Sequence, residues 1–170
     1  YPFEVAEAPF TVAASEETRE AVSVYMEGVR DSSAMLLSLT EYLDDVDEPT
    51  MVVFFGDHRP SLGTNNSAYK DLGMDFSVSD DATAVIDTYE TPFVIWVNQS
   101  YYDQIDFAGA VSSLSLPKDH LISNIYLGSV VNEITGMTGS DPYFDYLGEV
   151  RRELPVICNG NYYLPDGTYT

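Results

Sequence analysis

A run of five apolar residues at 51–55, MVVFF, is followed at once by Gly56, Asp57 and His58. An uninterrupted apolar run of this length that ends at a glycine predicts a short buried strand. A second continuous run, TPFVIWV, lies at 91–97, with its proline near the start, where a strand tolerates a missing N–H donor. Continuous rather than alternating apolar residues are typical of strands covered on both faces, as in parallel sheets. The two runs therefore predict an α/β fold whose mostly parallel sheet is flanked by helices.

Helices are predicted where a capping signal precedes apolar residues at three-to-four spacing. Ser15, followed by two glutamates, marks the start of the longest one. The predicted helices are a long one over about 16–46 that Pro49 closes, one opened by Asp119 or Ser123 and ended at Gly136, and one opened by Asp141-Pro142 and stopped by Pro155.

The remaining segments differ in length and composition. Residues 1–14 form an aperiodic lead-in in which residues 10–13 have strand character. The stretch 59–90 is too long for a simple connection in a compact domain and predicts a functional or partly ordered segment, with a mobile middle at 77–82. Two turn signals, the first of them Asn159-Gly160, lie around a short Tyr-rich strand and predict a small edge hairpin at 156–170. At 170 residues the chain is one domain's worth of sequence.

The charge of the chain excludes several classes of function. There are 28 acidic residues against 7 Lys and Arg, which gives a formal net charge of −21. Nothing here could neutralise a row of phosphates, so nucleic acid is excluded as a partner, and docking onto an anionic membrane by charge is excluded as well. The single cysteine, Cys158, rules out a disulfide framework and lies in an apolar stretch, where a buried small hydrophobe is the expected role.

Asp57 and His58 are the candidate metal ligands. A strand that ends in Gly-Asp-His places a carboxylate and an imidazole side by side at the edge of a sheet, which is where open α/β sheets bind ligands. Both side chains are good ligands for Zn²⁺ or Mn²⁺, and the carboxylate favours the harder ion. The alternative interpretation is an aspartate that caps a turn beside a surface histidine, which an isolated Asp-His pair does not exclude.

Three other positions have a functional and a structural interpretation. Arg59 could reach an anionic group of a substrate, or it could pair with one of the many carboxylates. His120 is interpreted as a solvated residue at a helix start, with a metal role as the alternative. The Tyr-rich tail could stack on a carbohydrate, but an edge strand is the more ordinary explanation.

The order of the motifs resembles one known family. A long helix, then FFGDHRPSLG at 54–63, then YETPFVIWVN at 89–98 is similar to the sulfatase-type domain of lipoteichoic acid synthase-like phosphoglycerol transferases, which are members of the alkaline phosphatase superfamily. The closing stretch YLGEVRRELP at 146–155 resembles the carboxyl end of that family. The resemblance runs from about Val22 to the last turn, so the whole chain, 1–170, is interpreted as the carboxyl-terminal part of such a domain.

The resemblance implies a metal-dependent enzyme in which Asp57 and His58 hold a divalent metal, usually Mn²⁺. It also implies a Thr nucleophile, a further acidic ligand and substrate-binding residues upstream of this chain, which begins at Tyr1 without an initiator Met. No catalytic residue is therefore expected in the chain itself, and Arg59 is its only candidate for substrate binding. The implied substrates are an anionic phospholipid head group of the phosphatidylglycerol type and a glycan polymer, at the outer face of a bacterial cytoplasmic membrane.

These implications lead to three expectations and two alternatives. The isolated chain should be catalytically inactive, should bind metal weakly because two ligands make a poor Mn²⁺ site, and should self-associate through bare sheet edges. One alternative function is a sulfatase or phosphodiesterase of the same superfamily. The other is a non-catalytic extracellular interaction domain that keeps only the fold.

Overall fold

The two apolar runs form a pair of strands at the centre of the chain. In the computed structural model, which describes residues 5–74, 76, 82–117 and 119–168, β1 is Met51–Phe55 and β2 is Phe93–Val97. They pair antiparallel over their full length, with Met51 opposite Val97 and Phe55 opposite Phe93. The positions of both strands agree with the prediction.

The predicted parallel sheet is not confirmed. The described residues contain two sheets of two strands each, and both pairs are antiparallel. The combination of helices and strands agrees with an α/β class, but the direction of pairing does not agree with the prediction. A continuous apolar run indicates that both faces of a strand are suited to burial, but it carries no information about the direction in which the strand pairs. The face that carries Phe54 and Val94 remains partly exposed among the described residues.

The longest helix, α1, is Glu16–Asp44, close to the predicted 16–46. The Ser15 hydroxyl caps it by accepting a hydrogen bond from the backbone N–H of Thr18 at 3.2 Å. The acidic first turn, Glu16 and Glu17, is favoured by the positive end of the helix dipole. The lead-in before it, from residue 5, contains no strand.

The segment 59–90 contains helices where a long loop was expected. A 3₁₀ turn at Thr64–Asn66 leads into α2, Ser67–Asp71, and α3 follows at Ala82–Tyr89. The expected mobile stretch at 77–82 lies almost entirely outside the described residues. Two short helices that the sequence analysis did not predict, α4 (Gln99–Gln104) and α5 (Phe107–Ser113), follow β2.

The last third of the chain follows the predicted signals. A 3₁₀ turn at Asn124–Tyr126 leads into α6, Leu127–Ile134, and Gly136 follows with a φ of 69°. Asp141 caps α7, Pro142–Glu153, by accepting from the N–H of Tyr143 at 2.9 Å. The predicted hairpin consists of β3 and β4, Val156–Cys158 and Asn161–Tyr163.

The core lies on one face of the β1–β2 pair. Val130 and Ile134 of α6, with Leu114, form a buried cluster against Met51 of β1 and Ile95 of β2. In the strand register, Met51 and Ile95 lie on the same face as Phe55 and Phe93. This packing fixes the strand pair, and with it the residues that follow β1, against α6.

Candidate functional site

Gly56 sets the direction in which the chain leaves β1. Its N–H donates to the Pro92 carbonyl at 3.0 Å, and the Thr91 hydroxyl donates to the Gly56 carbonyl at 2.7 Å. A Cβ at position 56 would lie 3.0 Å from the Thr91 Cβ, so a larger residue would require Thr91 to move by a few tenths of an ångström. The close approach of these two segments places Asp57 and His58 at the carboxyl end of β1.

Asp57 and His58 direct their polar atoms toward the same region of space. Oδ2 of Asp57 lies 3.5 Å from Nε2 of His58. The other carboxylate oxygen, Oδ1, accepts a hydrogen bond from the backbone N–H of His58 at 2.9 Å. The side chains are 81% and 76% exposed, so both remain accessible to an ion and to other ligands.

The imidazole of His58 is oriented by the next residue. Its Nδ1 lies 2.8 Å from the carbonyl oxygen of Arg59. A carbonyl oxygen only accepts, so Nδ1 carries the hydrogen in this contact and the neutral ring keeps its lone pair on Nε2. A hydrogen bond from the non-ligating nitrogen to a carbonyl is the arrangement that holds a metal-binding histidine in place.

The pair fits two adjacent positions in the coordination sphere of a divalent metal. With metal–ligand bonds of about 2.1 Å, neighbouring ligands lie roughly 3.0–3.4 Å apart in octahedral or tetrahedral geometry. The observed 3.5 Å between Oδ2 and Nε2 needs only a small adjustment to reach that range. No group of three or more potential His, Cys, Asp or Glu ligands occurs within the described part of the chain. Among the described residues, this position therefore offers two candidate ligands, Asp57 and His58.

The sequence model of the sulfatase family matches residues 1–128, three quarters of the chain, and includes this site. The chain belongs to the sulfatase family. The match covers α1, both central strands and the Gly-Asp-His motif, and it ends just after the start of α6. Family membership therefore confirms the predicted sulfatase-type domain, whereas the phosphoglycerol transferase subgroup remains a prediction.

One curated relative of this sulfatase-family chain is the "Putative cyclic beta-1,2-glucan modification protein" of Rhizobium meliloti (strain 1021). The two are 29% identical over 89 residues, which is 50% of this chain and 14% of the relative. The chain thus spans about one seventh of the length of that relative. No solved structure gives a significant match. None of the described helices is both long enough and apolar enough to cross a membrane.

The side chain of Arg59 lies in a different environment from Asp57 and His58, the candidate metal pair. Its Nη2 lies 3.5 Å from Oε1 of Glu90, and its guanidinium carbon lies 4.5 Å above the ring centroid of Phe76. The pairing with a carboxylate that the sequence analysis offered as the structural alternative is therefore present, but at a distance that makes it weak.

The other candidate positions do not join the site. His120 is exposed in a turn, with a φ of 58°, and its N–H donates to the Pro117 carbonyl at 2.9 Å. Cys158 is half-buried, and burial raises the pKa of its thiol, which keeps it protonated at neutral pH. Tyr163 is buried in the hairpin while Tyr162 is exposed, as expected for alternate residues of an edge strand.

Two cavities flank the end of β1 in this sulfatase-family chain. One, of about 300 Å³, lies between the ends of β1 and β2 and the β3–β4 hairpin, and Asp57 is on its wall. The other, of about 370 Å³, lies between Arg59 and α2. The sequence analysis identified neither cavity, because the walls of each combine residues from separate segments of the chain.

Proposed function

We propose that Asp57 and His58 form half of the divalent metal centre of a sulfatase-family phosphoglycerol transferase, with Mn²⁺ as the metal. The observation that carries the proposal is the 3.5 Å separation of Asp57 Oδ2 and His58 Nε2, with the imidazole held by the Arg59 carbonyl. Family membership supports an enzyme that acts on a phosphate or sulfate ester. The oxygen of the carboxylate favours Mn²⁺ over softer ions.

In this proposal, the residues of this chain bind the metal and position the substrate, and none of them is the nucleophile. A divalent metal, when bound, supplies Lewis-acid polarisation of the ester oxygen. Asp57 provides negative charge through Oδ2, while its Oδ1 is held by the His58 N–H. His58 offers the Nε2 lone pair in a fixed orientation. The high exposure of both side chains leaves room for further ligands, for the substrate and for a nucleophile, which the proposal assigns to residues outside this chain.

A glycan is the proposed acceptor and a phosphatidylglycerol-type lipid the proposed donor. The name of the matched relative, which describes modification of a cyclic beta-1,2-glucan, supports a glycan acceptor. A lipid donor and a glycan acceptor would meet at the outer face of the bacterial cytoplasmic membrane, which is where the proposal locates the site. The net charge of −21 disfavours direct adsorption to an anionic bilayer, so the donor head group would be recognised at a defined pocket.

A transfer assay on the longest natural protein that contains these residues tests the proposal. Labelled glycerol phosphate in phosphatidylglycerol vesicles is the donor, cyclic beta-1,2-glucan is the acceptor, and Mn²⁺ is added after chelation. We expect Asp57→Asn and His58→Ala each to lower the rate by more than about tenfold, and His120→Ala, the matched control, to leave it unchanged. Full transfer by a protein that carries both Asp57→Asn and His58→Ala would refute the metal role. Ester hydrolysis without transfer would instead support the sulfatase or phosphodiesterase alternative.

A further inference from the structure

We propose that the cavity beside Arg59, called here the Arg59 cavity, binds the oxyanion of a phosphate ester through Arg59 and Lys70. The cavity measures about 370 Å³ and is lined by these two cations, by Asn65 and Asn66, and by Tyr69 and Phe76. The assignment of the bound ester as part of the substrate rests on the function proposed above. The binding of the anion itself does not depend on the metal pair.

The ion pairs that Lys and Arg residues form with carboxylates distinguish this cavity from the rest of the described chain. Six of the seven Lys and Arg residues lie in the described part of the chain, and four of them form ion pairs of 3.1 Å or less with carboxylates: Arg19, Arg30, Arg151 and Arg152. The other two are Arg59, whose one carboxylate contact is at 3.5 Å, and Lys70, which forms no ion pair with a described residue. In a chain of net charge −21, Arg59 and Lys70 line the same cavity, and neither has a carboxylate of a described residue within 3.1 Å.

The guanidinium of Arg59 is held in place, but most of its N–H groups have no hydrogen-bond partner among the described residues. The Phe76 ring lies under it at 4.5 Å, and Glu90 contacts only Nη2. Its Nε is buried and donates to no described residue, while 28% of the side chain is exposed. A planar fork with five N–H donors and one long hydrogen bond is suited to bidentate contact with a phosphate or sulfate oxyanion. Stacking on an aromatic ring restricts its motion, which reduces the entropy lost on binding.

Uncharged hydrogen-bond donors lie beside the two cations of the Arg59 cavity. Oδ1 of Asn66 accepts from the Leu62 N–H at 3.2 Å, which leaves the side-chain NH₂ of Asn66 without a partner among the described residues. The Tyr69 hydroxyl donates to the Pro60 carbonyl at 2.6 Å and so fixes α2 against the segment that carries Arg59. The cavity thus combines two cations and an amide donor on walls that are already connected.

The Arg59 cavity is connected to the metal pair through one residue. The backbone carbonyl of Arg59 accepts from His58 Nδ1, while its side chain lies in the cavity. A substrate whose reacting ester lies at Asp57 and His58 would therefore place a neighbouring phosphate within the reach of Arg59. A glycerophosphate head group and a glycan that already carries a phosphate ester share this chemistry.

Titration of the 170-residue chain with sn-glycerol 1-phosphate and with inorganic phosphate, in chelator and at low salt, tests the proposal. The signal of the Arg59 Nε–H in ¹H–¹⁵N correlation spectra reports binding at the cavity, and calorimetry gives the affinity. We expect Arg59→Gln to weaken binding by at least tenfold and Lys70→Gln by several-fold. Arg30→Gln removes the same charge from an exposed, paired site on α1 and should leave the affinity unchanged.

The outcomes separate this inference from the proposed function. Arg59→Lys keeps the charge and removes the fork, so binding that weakens in this variant, with unchanged thermal unfolding, supports bidentate recognition. Phosphate binding that is equal in Arg59→Gln and the parent chain, or glycerol binding as tight as glycerophosphate binding, overturns the proposal. Asp57→Asn should lower the transfer rate of the longer protein by more than about tenfold while leaving anion binding intact. Loss of anion binding in Asp57→Asn would therefore contradict a separate cavity.

Two further probes identify the source of the ester. Phosphatidylglycerol in nanodiscs presents the head group, and a glucan substituted with glycerol phosphate presents the glycan-borne ester. Because both carry the same oxyanion, Arg59→Gln should weaken whichever of them binds. The inference fails if either probe binds saturably with an affinity that the Arg59→Gln substitution does not change.

Discussion

Nη2 of Arg151 lies 3.0 Å from each carboxylate oxygen of Glu133, and the Arg151 side chain has no exposed surface. The pair joins α7 to α6, the helix whose Val130 and Ile134 pack against the central strands. Nη1 of Arg151 also reaches the Ser115 carbonyl at 3.4 Å. The only completely buried cation of the described residues thus connects the end of the chain to the scaffold that supports the candidate site.

Removing Arg151 should destabilise the fold strongly. Arg151→Met leaves the carboxylate of Glu133 in a largely buried position without its main partner, and breaking a buried ion pair of this kind typically costs about 3–5 kcal/mol. Arg152→Met is the matched control. Its side chain is 43% exposed and contacts the same carboxylate at 3.1 Å, so the expected loss is below about 1 kcal/mol. Urea unfolding followed by circular dichroism measures both, and equal losses would contradict the role of burial.

Substitution of Asn98, which follows β2 and caps α4, should destabilise the fold strongly. Its side-chain NH₂ lies within 3.1 Å of the carbonyls of Leu43, Val46 and Glu48, and its Oδ1 accepts from the N–H groups of Thr50 and Tyr101. Asn98→Ala removes these bonds at a buried site and should cost about 3–5 kcal/mol, the sum of several buried hydrogen bonds and a helix cap.

An aspartate at position 98 distinguishes the contribution of the Asn98 acceptor, Oδ1, from that of its donor, the side-chain NH₂. Asn98→Asp keeps the acceptor that caps α4 but replaces the donor with a second oxygen that faces three carbonyls. We expect it to be no more stable than Asn98→Ala at neutral pH, despite its closer shape. Higher stability of the aspartate variant in urea unfolding would show that the cap, rather than the donor, dominates.

The contact between α1 and α2 should loosen in acid. Hydrogen bonds from the hydroxyls of Thr18 and Ser15, each 2.7 Å from Oδ2 of Asp71, lower the pKa of that carboxyl. Hydrogen bonding by the side chain of Thr64, and by its backbone N–H at 2.7 Å, lowers the pKa of Glu17. A carboxyl whose pKa is lower in the folded chain stabilises it fully above the unfolded value, near pH 4, and loses that effect as the pH falls through the folded value.

Asp71→Asn provides the test of this pH dependence. The stability difference between the parent chain and Asp71→Asn should be constant between about pH 6 and 8 and should shrink as the pH falls from about 5 to 3. Glu41→Gln, at an exposed position near the other end of α1, is the comparison for general charge effects. A difference that grows in acid would mean that the carboxyl is destabilising, and would contradict the hydrogen-bond assignment.

The sequence analysis was most successful where one local signal decides the structure. Ser15 before two glutamates, Asp141 before Pro142, and the Asn159-Gly160 turn each determine a cap or a turn within a few residues, and the structure has α1, α7 and the β3–β4 hairpin at those places. The Asp57 and His58 pair could be predicted for the same reason, because adjacent residues at a strand end are brought together by local geometry alone.

Features that depend on distant partners were not predicted. Arg151 has the polar appearance of a surface residue of an amphipathic helix, and its burial depends on Glu133, which lies 18 residues earlier. The antiparallel pairing of β1 and β2 depends on the path of the intervening segment, whose helices have weak individual signals. The Arg59 cavity combines residues from β1's end, α2 and Phe76, and no sequence pattern links them.

The isolated chain should bind Mn²⁺ weakly and through the predicted pair. Two protein ligands leave most of a six-coordinate ion to water, so a dissociation constant well above the micromolar range is expected. Electron paramagnetic resonance of free Mn²⁺ during a titration measures it directly. His58→Ala should lower the remaining affinity further, whereas His120→Ala should not. Micromolar affinity in the parent chain that His58→Ala abolishes would contradict weak binding and would require more ligands from this chain.

The exposed face of the central strands should cause self-association that rises with salt. Phe54 and Val94 lie opposite each other in the strand register and are 38% and 47% exposed, and the outer edges of β1 and β2 pair with no other described strand. An uncovered apolar strand pair of this kind favours pairing with a second copy. The net charge of −21 opposes this contact, and added salt screens that repulsion.

Sedimentation velocity over a hundredfold range of concentration, at low and at high salt, measures this association. Phe54→Lys places a charge on the apolar face and should return the chain to a monomer in both conditions. Gln104→Lys makes the same change of net charge at an exposed position of α4 and should, if anything, increase association, because it reduces the overall repulsion. A parent chain that sediments as a monomer at every concentration and salt would show that this face is not sufficient for pairing. Equal effects of the two lysine substitutions would show instead that net charge, rather than the Phe54–Val94 face, controls association.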